Sequence, residues 1–325
     1  MKKTIIKLLL VIDVLAAACF FTAYGPFPFF RNWLVTTALT TSSHSYLAYI
    51  LYTPEMIEEI MQDNQSVIVE DDTDLSLIDL SGPKVTEYAS EYEREILENP
   101  EGAPYKIIEL NENGYVGWVT VIYEPERLKL AVSETDRGQK VTTMARSCDA
   151  LVDTNAGGFT LGRGNKSADG GMIADGELVK ESDEKESLIA FTDRGQLLLT
   201  YDTVQNLAER GDIDWALYFT PFLIVNGQRS TFNGNAGGQQ PRTAIGQRAD
   251  GIVLLVTIEG RGASGSWGIN YGDLTDIFER YGCLNAANLD GGGSSVLAIN
   301  GELVNTPRGF GKSEERKVYN ALVYY

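Results

Sequence analysis

The chain has 325 residues, room for one large domain or two modest ones, with a globular balance of 43% hydrophobic and 22% charged residues. Its formal net charge of -18 disfavours nucleic acid and anionic lipid as main partners, because both attract basic surfaces. A single histidine, His44, and three cysteines without metal spacing (Cys19, Cys148 and Cys283) exclude the two-histidine zinc motif and make any Ser-His-Asp arrangement depend on one residue near the N-terminus.

Residues 1–30 open with Lys2, Lys3 and Lys7, then an apolar stretch to about Tyr24. That length suits a spanning helix, and the lysines place the N-terminus in the cytoplasm and the rest of the chain outside. Asp13 interrupts the stretch at about 2.5–3.5 kcal/mol, which its apolar neighbours offset. A cleaved signal peptide is the rival. "AAAC" has the look of a lipoprotein site at Cys19, but Ala16 stands where such sites usually carry Leu. The expectation is an uncleaved single-pass anchor in the cell membrane, with the main domain extracellular.

Residues 31–104 are expected as a membrane-proximal helix and an acidic linker. The helix begins near Pro54, with Thr53 as cap and Glu55 and Glu58 at its positive end. His44 falls in this region and reads as structural or interfacial. The stretch 63–104, with "EDDTD" and "EYEREILENPEG", reads as a solvated stalk. From Tyr105 to the C-terminus, strand-like runs alternate with tight turns: "GYVGWVTVIYEP", "LKLAVS", "LLLTYD", "WALYFTPFLIVNGQ", "GIVLLVTIEG" and "SSVLAINGELV". "ADGEL", "VNGQR" and "INGEL" carry the Asp-Gly and Asn-Gly pairs of two-residue hairpins. "GQKVTTMARSCDA" and "NYGDLTDIFERYG" read as helices, the second with Leu274, Ile277 and Phe278 at helical spacing. The fold expected is α+β: a mixed twisted β-sheet core with flanking helices, preceded by an N-terminal transmembrane helix.

Four stretches in 105–325 suit a ligand: "DTNAGGF", "PRTAIGQ", "TIEGRGASGSWG" and "NLDGGGSSVL". None fits a Walker loop or a dinucleotide fingerprint, and "GGFTLGRGNKS" lacks the Gly-Lys spacing. Together they supply two carboxylates at strand ends, Asp290 and Glu259. They add Arg242 and Arg261, which with Arg316 near the C-terminus are planar forks suited to phosphate. Gly157, Gly158, Gly291, Gly292 and Gly293 offer backbone N–H groups to an anion. Asn155, Thr243, Ser294, Ser295 and Asn320 are neutral hydrogen bonders suited to sugar hydroxyls. Each Arg or Gly alone is as readily a salt-bridge partner or a turn; the argument rests on the set.

"NAGGF", "RTAIG", "EGRG", "NLDGGGSS" and the terminal "ERKVYNAL" occur in this order, so residues 105–325 resemble the phosphodiester glycosidase family. Two residues depart from its pattern. "NAGGF" stands where Asn-Gly-Gly-Phe/Tyr is more common, and Glu259 where Asp is common. The resemblance implies hydrolysis of a sugar-1-phosphodiester at the anomeric C–O bond, on a sugar-phosphate or glycopolymer substrate such as cell-surface glycopolymer or exopolysaccharide. Asp290 would then act as nucleophile or base, with Glu259 as partner acid/base or sugar-hydroxyl acceptor. The alternatives are a non-catalytic cell-wall or capsule polysaccharide-binding module and a glycosyl transferase using the same site. No cofactor is assigned. An Asp/Asn-rich pocket also suits Ca²⁺, although no ligand spacing marks a site. Cys148 and Cys283 could pair outside the cell, but buried free thiols are expected.

Overall fold

The structure, a computed structural model, describes residues 2–26, 28–41, 44–83, 87–99, 101–161, 166–309 and 314–325. The segment 162–165, part of the rejected phosphate-loop stretch, lies outside the described residues. The chain divides into two units: Met1–Ser66 with Phe232–Gln239, and Val67–Thr231 with Gln240–Tyr325.

The first unit is helical. Helix α1 (Lys2–Tyr24) is followed by α2 (Phe29–Leu39), α3 (Tyr46–Leu51) and α4 (Pro54–Asp63). Within α1, 21 residues from Thr4 to Tyr24 are long and apolar enough to cross a membrane, at mean hydropathy 2.4 with none of the window buried. Helix α4 starts where Pro and its cap predict, with Thr53 Oγ1 accepting from the Met56 N–H at 3.4 Å. Val35, Ala38, Ala48, Tyr52, Ile57 and Ile60 form the unit's small core. The returning segment 232–239 joins it through Asn235, whose Nδ2 donates to Thr36 Oγ1 at 2.7 Å.

The second unit is the expected mix of helix and sheet. One sheet has seven strands in the order Gln228–Arg229, Phe222–Val225, Cys283–Leu289, Arg242–Arg248, Val253–Ile258, Tyr115–Ile122 and Tyr105–Glu112. A second runs Leu197–Asp202, Glu186–Thr192, Ile213–Tyr218, Met172–Ala174 and Glu177–Lys180. A third runs Glu302–Leu303, Leu297–Ile299, Val152–Asn155, Asn320–Tyr324 and Leu128–Val132. One core, including Ile245, Leu289, Trp215, Met172, Val152 and Leu322, takes side chains from all three. Alternation then leaves each sheet an outer face. On the second sheet, Val204 and Leu207 of α7 (Val204–Arg210) pack there with Ile173 and Ala216. On the third, Val141 and Met144 of α6 (Val141–Ser147) pack with Ala321 and Val323. Helix α8 (Tyr271–Arg280) covers the seven-stranded sheet, and a Cβ on Gly246 would lie 2.6 Å from Phe278.

The three expected hairpins form. Asp175–Gly176, Asn226–Gly227 and Asn300–Gly301 all have positive φ at both turn residues, the geometry that matches strand twist. The run "WALYFTPFLIVNGQ" is not one strand. It divides before Phe222 into strands of two different sheets, in keeping with a proline that offers no N–H to a ladder.

The acidic stretch 63–104 also differs from a solvated stalk, since from Val67 onward it clusters with the second unit. Asp72 accepts from Thr200 Oγ1 at 2.6 Å, and Thr73 donates its N–H to the Leu199 carbonyl at 2.9 Å. Helix α5 (Glu91–Leu97) buries Ile96 completely, and Glu95 accepts from the Tyr281 hydroxyl at 3.0 Å. Single acids such as Asp72 and Glu95 serve as acceptors for the second unit, while most of the others are exposed. Cys148 and Cys283 are both free, and Cys283 is buried.

Candidate active site

Sheet register brings most of the sequence-marked residues to one end of the strands. Arg242, first in its strand, pairs with Ile258, the residue before Glu259. Thr243 pairs with Leu289, the residue before Asp290. On the third sheet, Asn155 pairs with Ala321, next to Asn320.

Asp290 leaves its strand into the glycine turn and is held by its backbone. Its N–H donates to the Ala156 carbonyl at 2.9 Å, and its own carbonyl accepts from Asn155 Nδ2 at 2.5 Å. Asn155 Oδ1 accepts from Thr243 Oγ1 at 2.8 Å and from the Val296 N–H at 3.0 Å, so one buried amide ties both ends of the turn to the neighbouring strand. Burial pushes the Asp290 carboxyl up to about 6. The Asp169 charge adds to that rise. The Ser294 hydroxyl, close by although it makes no hydrogen bond of ordinary geometry, works against it, as do Arg316 and the Gly291 N–H.

The glycines admit neighbouring protein. A Cβ on Gly291 would lie 2.8 Å from the Pro241 carbonyl oxygen, and one on Gly293 3.1 Å from the Gly309 Cα. Gly292 takes a positive φ of 62°, with the Arg261 guanidinium 2.9 Å from where a Cβ would stand. The Gly292 N–H donates to the Pro241 carbonyl at 2.8 Å and is therefore not offered to an anion, and the Ser294 and Ser295 N–H groups likewise donate to backbone carbonyls.

The segment Asn155–Phe159 is the hub of the site. The Gly157 N–H donates to Asn320 Oδ1 at 2.7 Å. The Gly158 carbonyl accepts from the Asp169 N–H at 2.9 Å, and a Cβ on Gly158 would lie 2.7 Å from Asp169 Oδ2. The Phe159 ring lies 4.9 Å beneath the Arg316 guanidinium. Asp169, half-buried and further held by Thr160 Oγ1, therefore joins Asp290 as the second carboxylate of the site. It went unnoticed in the sequence, although "ADGGM" places an Asp before paired glycines just as "LDGGG" does.

Three arginines gather around the turn. Burial lowers the Arg261 pKa, and repulsion from the nearby Arg316 and Arg242 lowers it further. Arg242 is almost fully buried, donates to the Ile269 carbonyl at 3.1 Å and lies 4.3 Å over the Tyr271 ring. Burial lowers its pKa too, but a guanidinium stays charged. Arg261 donates to Gln240 Oε1 and to the Arg308 carbonyl at 3.0 Å each. Arg308, a fourth arginine not picked out from the sequence, donates back to the Arg261 carbonyl at 3.4 Å. Clustering like charges in a partly buried place costs stability, and such a cost is characteristic of a site prepared for an anion.

Glu259 is buried and held through one carboxylate oxygen, while its Oε2 has no hydrogen-bond partner. Its Oε1 accepts from the Thr306 N–H at 2.5 Å, which fixes the loop carrying Arg308, and Ser266 Oγ donates to its carbonyl at 2.6 Å. Asn155, Thr243 and Asn320 act from behind the turn as buried supports rather than as groups open to a sugar. Ser294 and Ser295 are buried as well, with hydroxyls that make no hydrogen bond. Among the described residues, no group of three or more His, Cys, Asp or Glu could hold a metal ion.

A family model described as phosphodiester glycosidase matches residues 149–325. The SPbeta prophage-derived uncharacterized protein YomE of Bacillus subtilis (strain 168) is 30% identical over 181 residues, 53% of this chain and 28% of that protein. N-acetylglucosamine-1-phosphodiester alpha-N-acetylglucosaminidase of Bos taurus is 31% identical over 80 residues, 25% of this chain and 15% of that enzyme. The matches thus span less than a third of either curated relative. The zebrafish enzyme of the same name, solved as a catalytic domain auto-inhibited by its pro-peptide, shares the fold. It aligns with a TM-score of 0.59 at 18% identity, over 81% of this chain and 96% of that one. A hypothetical protein from Synechocystis aligns with a TM-score of 0.53 at 17% identity, over 67% of this chain and 61% of the other. The motif order, the converging strand ends and the family match covering more than half of the chain agree: this chain belongs to the phosphodiester glycosidase family.

Proposed function

We propose that the chain hydrolyses a sugar-1-phosphodiester at the anomeric C–O bond, on a glycopolymer or exopolysaccharide outside the membrane that α1 crosses. The observation that carries this reading is the group of Arg242, Arg261 and Arg316 around a half-buried Asp290. A phosphomonoester leaving group gains charge as the C–O bond breaks, and the electron pair stays on the phosphate oxygen. Fixed guanidinium groups stabilise that charge where it develops, so strong general-acid help is less needed than in ordinary glycosidases. Asp290 supplies what the arginines cannot: attack on the anomeric carbon, or removal of a proton from the attacking water. Asp169 faces the same space. Its role is to accept a sugar hydroxyl.

The test uses the full chain in detergent, with UDP-N-acetylglucosamine and simpler sugar-1-phosphodiesters as probes and mass detection of both products. Free sugar and phosphomonoester in equal amounts support hydrolysis, whereas saturable binding without products would point to a polysaccharide-binding module. Reaction in ¹⁸O-water locates the bond broken: label in the sugar marks anomeric C–O cleavage, and label in the phosphate overturns the mechanism.

A further inference from the structure

We infer that the exposed face of α3, formed by Tyr46, Tyr49 and Ile50, is a membrane-surface contact lying in the headgroup region of the bilayer that α1 crosses. The inference rests on α1 acting as an uncleaved span. At 1.5 Å per residue, the 21 apolar residues of α1 measure about 31 Å, the thickness of the hydrocarbon core. Its last turn therefore marks the level at which the chain leaves the membrane.

Helix α3 is tied to that level. The Tyr24 hydroxyl donates to the Leu51 carbonyl at 2.5 Å, and the Tyr52 hydroxyl donates to the Ala23 carbonyl at 3.3 Å. The two tyrosine rings meet edge to face at 5.8 Å. Six residues of helix span about 9 Å, so all of α3 stays close to the exit point.

The two sides of α3 then have opposite character. Ala48 and Tyr52 face the unit's core, while Tyr46, Tyr49 and Ile50 are 53%, 58% and 69% exposed. Single exposed apolar residues are ordinary; three on a short uncharged helix beside a spanning segment are not. Tyrosine, with an apolar ring and a polar tip, is the residue enriched at headgroup depth. Phe29, at the start of α2 just beyond the span, is 80% exposed and extends the apolar surface. Apart from Asp13 within α1, the acids of this unit lie instead on α4, where Glu55, Glu58, Glu59 and Asp63 are all exposed. An anionic leaflet repels that face, which turns it to water.

The experiment reads depth in a full chain reconstituted in phosphatidylcholine–phosphatidylglycerol vesicles. Cys19, Cys148 and Cys283 are replaced by Ala, and a spin label is placed at Tyr49→Cys or, as control, at Glu58→Cys. Relaxation by oxygen, which concentrates in lipid, is compared with relaxation by a water-soluble nickel chelate. A several-fold higher oxygen-to-nickel ratio at position 49 than at 58 supports the proposal. Equal ratios place α3 in water and overturn it. Shielding of position 49 from both reagents means that protein, a second copy or a partner, covers the face, and also overturns it. Flotation of the same vesicles separates the premise: a chain that does not float is not anchored by α1, and both readings then fail together.

Discussion

Asp290 and Asp169 hang from the same short segment, one donating its backbone N–H to the Ala156 carbonyl and the other to the Gly158 carbonyl, each at 2.9 Å. The two carboxylates of the site are thus spaced by backbone geometry rather than by side-chain contacts. Each can be altered with little effect on the position of the other.

Asp290→Asn is the sharpest test. Asn is nearly isosteric but neither attacks nor takes up a proton. The expected result is a loss of at least about 10³-fold in kcat with substrate still bound. Because burial raises the Asp290 pKa, its ionised form destabilises the fold above about pH 6. The variant should therefore melt at the same or a higher temperature at pH 8. A lower Tm, falling in step with activity, would make Asp290 a structural residue.

The same carboxyl sets a pH profile. Only the ionised form can attack or accept a proton, so kcat/KM should fall about tenfold per pH unit below about 6 and level off above it. A profile flat down to pH 4.5 in the stable enzyme would remove Asp290 from the chemistry.

Arg316→Lys keeps the charge but loses the planar fork. A drop of about 10- to 100-fold in kcat/KM is expected with Tm little changed, because Arg316 is half-buried and stacks on Phe159. Arg242→Lys should cost stability as well, since it gives up the stack on Tyr271 inside the core. Wild-type kinetics in both variants would move the phosphate elsewhere.

Gly291→Ala and Gly158→Ala separate scaffold from site. The first sets a methyl against the Pro241 carbonyl, a backbone atom with little freedom, and should cost about 1–3 kcal/mol by urea unfolding. The second meets the Asp169 carboxylate, a side chain that can turn away, and should lower activity more than stability. Unfolding curves and rates on both variants check the contrast.

Asp153 offers a test away from the site. It is fully buried, neither carboxylate oxygen has a hydrogen-bond partner, and burial pushes its pKa up to about 8. In the unfolded chain it ionises near pH 3.9, so the folded form holds a proton that the unfolded form has lost across the window from about 4 to 8. Stability from this group is full below that window and is lost as pH rises through it. With each tenfold step in proton affinity worth about 1.4 kcal/mol, the change is on the order of 5 kcal/mol. Asp153→Asn should flatten the fall in stability between pH 5 and 8; an unchanged slope would mean another group causes it.

Much of this was legible in the sequence, and the reasons differ by element. Asn-Gly and Asp-Gly pairs demand positive φ at two successive positions, so the hairpins at 175, 226 and 300 followed from local chemistry alone. Helix α8 carried its own cap in Asn270, which accepts from the Asp273 N–H at 2.9 Å. Asp290 and Arg242 were visible because each sits at a strand end, and Arg261 and Arg316 because each lies within a few residues of one. Asp169 was not, because an Asp before two glycines is also an ordinary turn. Neither was the duty of Gly291, Gly292 and Gly293, since a sequence shows that a close approach is needed but not what approaches. The acidic stretch misled for a related reason. Its charge density looks solvated until single acceptors such as Asp72 and Glu95 are matched to hydroxyls far along the chain.

The return of residues 232–239 to the helical unit bears on heredity. Asn235 donates its N–H to Asn64 Oδ1 at 2.6 Å, and a Cβ on Gly238 would stand 2.7 Å from the Thr37 Cα, so the helices and this eight-residue piece are fitted to each other. A recombination that replaced the N-terminal helices by a foreign leader, with one crossover before Val67, would leave the matching piece orphaned in the middle of the sequence. Two crossovers are needed, the second ending three residues before Arg242, where any error falls on the first residue of a core strand. The helical unit and the strand that begins at Arg242 are therefore inherited as one block, although they belong to two units.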